Sequence, residues 1–288
     1  MNRYLLMSVL ALTLLGGIFL YQYTKFNDGK LHIVFCNVGQ GDGIFIKTPD
    51  NKYILIDGGP DKKVLSCLSS HMPFWERTID LVLLTHPHAD HFLGLYYVID
   101  RYNALSFGTE DLSNKTGSFQ ELIRSIAEKK IQKRLVSKGA KWTIGKKLVL
   151  SIESPTTEFL RSTSPNGLIG ESREFASLIT HLSYGSFDLL LTGDSQAGEL
   201  GRVGDRLQGR IDVLQIPHHG SGTGLTQQVL EKINPRLGII SVGSRNRYGH
   251  PNKQILSLLG DKNIPIQRTD KAGDIEIVTD GEKWRVVQ

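Results

Sequence analysis

Cysteine is scarce: Cys36 and Cys67 are the two thiols in 288 residues. Two cysteines cannot build the disulfide framework of a small secreted scaffold, and no CxxC or Cys/His finger spacing is present. Cys36 lies in an apolar run and reads as a buried thiol. A single bridge stays open to a domain that is exported. No internal repeat is apparent. Glycine clusters at Gly39, Gly41 and Gly43, but no GxGxxG leading into a helix follows, which excludes a dinucleotide fingerprint. Excess charge is also modest, with 34 Lys and Arg against 29 Asp and Glu, net +5 and pI about 9.1. That balance suits an anionic partner without demanding one. With 40% hydrophobic and 22% charged residues, intrinsic disorder is excluded.

Charge is missing altogether from Tyr4 to Tyr23, YLLMSVLALTLLGGIFLYQY. About 20 apolar residues in a helix span the hydrocarbon core of a bilayer. Arg3 precedes the run and Lys25 follows it, and Tyr4, Tyr21 and Tyr23 suit the interfaces. Residues 1–24 therefore read as an uncleaved anchor that leaves the rest of the chain outside the cytoplasm. A signal peptide, with a secreted product, is the alternative, although no small-x-small cleavage site follows. Residues 25–30 read as a polar linker and 31–288 as the folded domain.

Within 31–288, apolar runs punctuated by Gly, Pro and Asp predict strands at LHIVFCNV, GIFIKT, YILIDGG and IDLVLLTH. Helical spacing follows over 61–71, 90–102 and 119–129. Residues 130–150 alternate basic and apolar residues, as short exposed strands do, and Lys129–Lys147 reads as a solvated basic face. The Ser-, Thr-, Pro- and Gly-rich stretch 154–173 reads as a long loop. A hairpin over 175–194 turns at Gly185–Ser186. Strands at IDVLQI, LGIISV, IPIQRTD, DIEIVTD and KWRVVQ, with helices at 225–233 and 251–259, complete an α/β (α+β) pattern. Polar residues repeatedly close these apolar strands, which is where open α/β sheets present ligands.

The densest chemistry is Thr85-His86-Pro87-His88-Ala89-Asp90-His91, directly after a buried strand. Imidazole and carboxylate are ligands of zinc, manganese or iron. In a tight turn His86 and His88 can converge on one ion, and Asp90 with His91 on a second. FDLLLTGD ends a buried strand on Asp194, a costly place for an unpaired carboxylate. PHHGS puts His218 and His219 at another strand end. Either can be the ligand; we assign His219 to metal and His218 to the substrate side. His250, in YGHP, is a further candidate for metal or phosphate. Arg245 and Arg247 beside it suit backbone phosphates, and Tyr248 suits a nucleobase. His32 and His71 have no motif around them and read as structural.

HPHADH resembles the HxHxDH signature of the metallo-β-lactamase superfamily. NVGQGDG (37–43), LIDGG (55–59), LLTGDS (190–195), PHHGS (217–221) and YGHP (248–251), in that order, resemble the C-terminal hydrolase domain of ComEC-type competence (DNA-uptake) proteins. The resemblance covers nearly everything from residue 31 onward. It implies a four-layer αββα fold, one or two divalent ions (Zn or Mn), and an Asp194 that bridges them or caps a single one. It also implies an Asp57 that orients the ligand loop from behind, with Asp42 acting similarly near the site mouth. In many superfamily members another histidine between HxHxDH and the GD aspartate completes the first metal site. Here that interval holds only His181, in mid-strand, and we read it as an ordinary strand residue.

The implied activity is an extracytoplasmic DNA phosphodiesterase or nuclease. A metal-activated water would attack, Asp90 would accept a proton, and His218 or His250 would assist the leaving oxygen. DNA is the expected partner, with the membrane held through residues 4–23 and a separate channel protein conceivable beside it. A hydrolase of lactams, lactones or phosphocholine esters, and a non-catalytic binding module, remain as alternatives.

Overall fold

Apolar residues of the central strands in the first half of the chain alternate between two cores, so the strands Leu31–Phe35, Ile44–Lys47, Tyr53–Ile56 and Leu81–Leu84 are covered on both faces. The computed structural model describes residues 3–145, 147–172, 175–207 and 209–287. Helix α1 (Arg3–Phe26) leads into β1 (Leu31–Phe35), β2 (Ile44–Lys47), β3 (Tyr53–Ile56), α2 (Lys63–His71) and β4 (Thr78–Ile79). Next come β5 (Leu81–Leu84), α3 (Ala89–Arg101), β6 (Asn103–Ala104), β7 (Ser106–Thr109), α4 (Gly117–Glu128) and β8 (Gln132–Leu135). In β5, Leu81 and Leu83 point into the space between two sheets, while Val82 and Leu84 pack under α2, α3 and α4. This is the period-2 division expected of buried strands.

The second half runs β9 (Lys141–Ile144), β10 (Leu148–Ser154), α5 (Thr157–Thr163), β11 (Ile179–Tyr184), β12 (Phe187–Leu191), α6 (Ala197–Gly204) and β13 (Val213–Gln215). It continues through α7 (Gln227–Ile233), β14 (Leu237–Ile240), α8 (Lys253–Asp261), β15 (Ile266–Arg268), α9 (Thr269–Ala272), β16 (Ile275–Thr279) and β17 (Trp284–Val287). One sheet has the order β17-β16-β1-β2-β3-β5-β7-β8, and the other β15-β14-β13-β12-β11-β10-β9. A core shared by the two sheets lies between them, and the second sheet carries its own outer core under α6, α7 and α8. The layers are therefore αββα.

Strands β3, β5, β7 and β8 are parallel, as are β12, β13, β14 and β15. The C-terminal ends of both sets meet at one pole of the sandwich. The bond from the Leu178 amide to the Thr85 carbonyl, 2.9 Å, ties the sheets together there. Close backbone packing fixes α3: a Cβ on Gly94 would collide with the Gly58 carbonyl oxygen.

Three expectations change. Residues 154–173 are not one loop, because Thr157–Thr163 is helical, with the Thr156 hydroxyl accepting from the Phe159 amide as a cap. Arg173 and Glu174 lie outside the described residues. Cys36 is not a free thiol: it is bonded to Cys67, which fastens the chain just after β1 to α2. Third, the strand read from Phe175 begins only at Ile179. Helix α1 is 24 residues long with hydropathy 2.0, long and apolar enough to cross a membrane, and its most apolar stretch is not buried.

Leu83, fully buried between the sheets, tests this packing. Leu83→Ala should lower the unfolding free energy by about 2–5 kcal/mol in urea titrations.

Candidate metal centre

The polar residues that close the parallel strands meet at this pole. Asp57 follows β3 and Thr85-His86 follows β5. Asp90 and His91 form the first turn of α3, Asp194 follows β12, and His218-His219 follow β13. Two groups of ligand atoms converge. Asp90, His91, Asp194 and His219 form one, and His86, His88 and Asp194 the other, each with its ligand atoms within 4.8 Å of one another. The Asp194 carboxylate faces both. Its Oδ1 is 3.3 Å from His91 Nε2 and 3.5 Å from His219 Nε2, while its Oδ2 is 3.7 Å from His86 Nε2 and 3.5 Å from His218 Nε2. His219 Nε2 also lies 3.5 Å from Asp90 Oδ2.

The opposite ring nitrogens are tied down. His91 Nδ1 is 2.8 Å from Asp57 Oδ2, and His219 Nδ1 is 3.0 Å from the Ser241 carbonyl. His86 Nδ1 sits 3.1 Å from the Thr85 hydroxyl and 3.3 Å from that of Ser177. Asp57 itself accepts from the Thr85 amide at 2.8 Å and the Thr85 hydroxyl at 2.7 Å. Such outer partners fix a histidine's tautomer and aim its other nitrogen.

His86 Nε2 meets His88 Nδ1 at 2.9 Å, but other inward atoms are left bare. Among the described residues, His91 Nε2, His219 Nε2 and Asp194 Oδ1 are buried with no hydrogen-bond partner. Burial opposes the charge on Asp194, yet His91 and His219 hold its carboxyl well below the ordinary range. Burial equally opposes charge on His219, but Asp194 and Asp42 lift it to about 9. Buried carboxylates thus draw positive charge into an interior that would otherwise exclude it. Unsatisfied nitrogens and oxygens at this spacing fit one or two divalent ions, which supply that charge directly.

Backbone strain collects at the same place. Asp57, His218 and His219 have φ of 59°, 51° and 56°, the left-handed region that non-glycine residues seldom enter. The His218 amide bonded to the Gly193 carbonyl at 2.9 Å, and the Asn252 amide to Gly220 at 2.8 Å, hold the His218-His219 turn. Two successive left-handed residues turn both imidazoles toward Asp194.

Comparison with known proteins agrees with this geometry. The profile of the metallo-beta-lactamase superfamily matches residues 36–244. The chain belongs to the metallo-β-lactamase superfamily. Among relatives, ComE operon protein 3 of Bacillus subtilis is 24% identical over 268 residues, covering 87% of this chain and 33% of that protein. Competence protein ComA of Neisseria gonorrhoeae is 24% identical over 274 residues, covering 92% and 35%. The chain thus spans about a third of the length of these relatives. Among solved structures, the metallo-β-lactamase fold protein YhfI of Bacillus subtilis superposes with TM-score 0.57 at 12% identity, over 85% of this chain and 99% of that one. Igni18, a metallo hydrolase of Ignicoccus hospitalis, gives 0.54 at 13%, over 90% and 99%. With its His/Asp clusters, this superfamily chain is a metal-dependent hydrolase.

The candidate ligand residues, His86, His88, Asp90, His91, Asp194 and His219, all reach the centre. His218 touches it through Asp194. His250 does not join either convergent group; its ring packs 5.7 Å from that of His218. Asp42 is misplaced by the sequence reading. It lies on the buried floor rather than at the mouth, 3.7 Å from His219 Nδ1, and burial lifts it to about 6 against the pull of His219 and His91. Arg245, Arg247 and Tyr248 are on the loop that carries His250, where Tyr248 is exposed. His181 bonds Asp188 at 2.8 Å on β11. His71 faces Asp274 at 3.4 Å.

Sequence reasoning missed three residues. Gln215 donates to Asp42 Oδ2 at 2.8 Å and accepts from the Thr192 amide at 2.9 Å, joining the floor to the strand end that carries Asp194. A glutamine inside the apolar run IDVLQI was the available signal. Ser177 accepts from the Asp194 amide at 3.1 Å. Phe175 stacks on His86 with ring centres 5.4 Å apart and meets His88 edge-on at 5.0 Å, walling one group from solvent. Nothing local in the sequence marked either of these two. A cleft of about 880 Å³, lined by Ile54, Leu81, Trp142 and Leu148, opens at the opposite pole and holds none of these groups.

Asp57→Asn keeps the shape and tolerates the left-handed backbone, but weakens the hold on His91. Zn²⁺ affinity, read by competition with a chelator, should fall about 10–100-fold with folding retained. A second prediction concerns Glu110, which follows β7 fully buried with both carboxylate oxygens unbonded among the described residues. Burial, then the charge of Asp57, pushes its pKa well above 4.5. The unfolded chain therefore releases this proton at lower pH than the folded one, and Glu110 costs stability as pH rises past about 4.5. Glu110→Gln should be more stable than wild type near pH 8, and the gain should vanish near pH 4, in urea unfolding at the two pH values.

Proposed function

We propose that this hydrolase is a DNA-directed phosphodiesterase anchored by α1 on the outer side of a membrane. The observation that carries the reading is a file of side chains leading from solvent to the metal centre. The Arg247 guanidinium lies 5.3 Å over the Tyr248 ring, and Tyr248 stacks on His250 at 5.8 Å. His250 meets His218 at 5.7 Å, and His218 reaches Asp194 at 3.5 Å. A cation and exposed rings in sequence suit a strand whose phosphates and bases alternate. The competence proteins among the relatives, and the net charge of +5, support the same substrate. The Cys36–Cys67 bridge supports an oxidising compartment.

In this reading His86, His88 and Asp194 would hold one divalent ion, and Asp90, His91, Asp194 and His219 would hold a second. Such ions supply Lewis-acid polarisation and acidify a water toward neutrality. The chain's own groups do the rest. Burial opposes ionisation of Asp90, but His219 and His91 hold its carboxyl well below the usual range. An ionised Asp90 suits both roles expected of it from the motif, gripping a cation and accepting a proton. His218 and His250 face the open side. Burial, followed by the charge of His218, lowers His250, so at neutral pH it orients a phosphate oxygen by hydrogen bonding rather than by charge. In this reading Arg245 and Arg247 position the backbone, and the candidate span found among the described residues tethers the domain beside a separate channel protein.

The test is cleavage of single-stranded and plasmid DNA by the purified full chain with Mn²⁺ or Zn²⁺, beside nitrocefin and a chromogenic phosphodiester. Asp90→Ala and Asp194→Ala should each lower DNA cleavage at least 100-fold with unchanged circular dichroism. Equal cleavage by all three proteins removes the nuclease reading. Turnover of nitrocefin or the small ester, with DNA left intact, transfers the site to small-molecule hydrolysis.

A further inference from the structure

Strand direction gives the molecule two poles. The metal centre lies at the C-terminal ends of β3 and β5. Strand β1 runs parallel to β3, because each is antiparallel to β2, so its first residue, Leu31, lies at the other pole. Helix α1 therefore joins the domain at the pole opposite the metals. The segment Met72–Arg77, between α2 and β4, also opens there, since it feeds the N-terminal end of β5.

Two large aromatic side chains stand out of that segment: Phe74 is 56% exposed and Trp75 38%. Their rings meet edge-on at 4.9 Å. Trp75 also packs against Phe19 of α1, again at 4.9 Å. Phe19 belongs to the apolar run and lies seven residues before Phe26, which is buried in the domain. At 1.5 Å per residue, Phe19 sits about 10 Å out along the helix from that junction. A loop that touches Phe19 thus reaches past the helix end, alongside the part of α1 that would enter the bilayer. Tryptophan, with an apolar body and one N–H, favours the depth where headgroups meet acyl chains.

We propose that the Phe74–Trp75 loop is a second lipid contact, inserted in the interface of the bilayer that α1 spans. The occupant of this exposed aromatic surface is the lipid around α1, because the surface is continuous with the helix through the Trp75–Phe19 contact. The two contacts seat the domain with its metal pole facing away from the membrane, one strand length (about 15 Å) or more from the lipid. This rests on the reading of α1 as a membrane span.

The experiment uses the full chain in phosphatidylcholine–phosphatidylglycerol vesicles whose acyl chains are brominated, with Trp75→Phe as the variant. Trp142 and Trp284 are common to both proteins, so the difference in emission reports Trp75 alone. Carbonate extraction of the same vesicles reads the anchor separately. Expected are a carbonate-resistant chain and bromolipid quenching at least twofold greater in wild type than in Trp75→Phe. A resistant chain with equal quenching in both proteins overturns the lipid contact while α1 stands as a span. A chain that carbonate releases overturns the span, and the seat with it.

Discussion

The buried carboxylate of Asp194 organises everything around it. It arrives from the second sheet, yet half of the imidazole nitrogens it contacts, those of His86 and His91, belong to the first. Neither sheet alone holds a centre. The site exists because two parallel strand sets, packed face to face over a shared apolar core, end at the same pole. A carboxylate 2% exposed must be compensated, and the compensation here is imidazole on both sides. Packing energy therefore sustains an arrangement that its own electrostatics would scatter.

The supporting layer shows how that cost is met. Asp57 occupies a left-handed backbone position so that one carboxylate can bind the Thr85 amide, the Thr85 hydroxyl and His91 together. His218 and His219 adopt the same rare conformation in succession, pinned by Gly193, Ser241 and Asn252. Each such residue costs on the order of 1–2 kcal/mol. Bonds from three separate elements over-determine them. The disulfide adds to this, since Cys36 is bonded to α2 and begins the segment that ends at Asp42, under His219.

Much of this was legible in the sequence, for physical reasons. Buried parallel strands must be apolar throughout, so a polar residue at the end of one stands out; His86, Asp194 and His219 were visible that way. Helix α3 showed through its apolar spacing. Residues that act through tertiary contact alone were hidden. Phe175 has no local pattern that separates a wall of the metal centre from a core aromatic, and Ser177 looks like any strand-edge serine. Asp42 was expected to support the site, but its depth was not legible, because Gln215, 173 positions away, completes its burial. The pairing of Cys36 with Cys67 likewise depends on how α2 packs against the end of β1.

Polarity links the two ends of the molecule. Strands β1, β3 and β5 run in the same direction, so a helix entering before β1 and a ligand set following β3 and β5 cannot share a pole. Inserting α1 in a bilayer then commits the metal centre to face outward. The Arg247-Tyr248-His250 file sits at that outward pole, fixed through His218 to Asp194. Under the proposed DNA reading, a polyanion would meet the exposed Arg247 guanidinium and Tyr248 phenol before the histidines of the metal centre. In the proposed membrane seat, the lipid would lie on the far side of the β-sandwich.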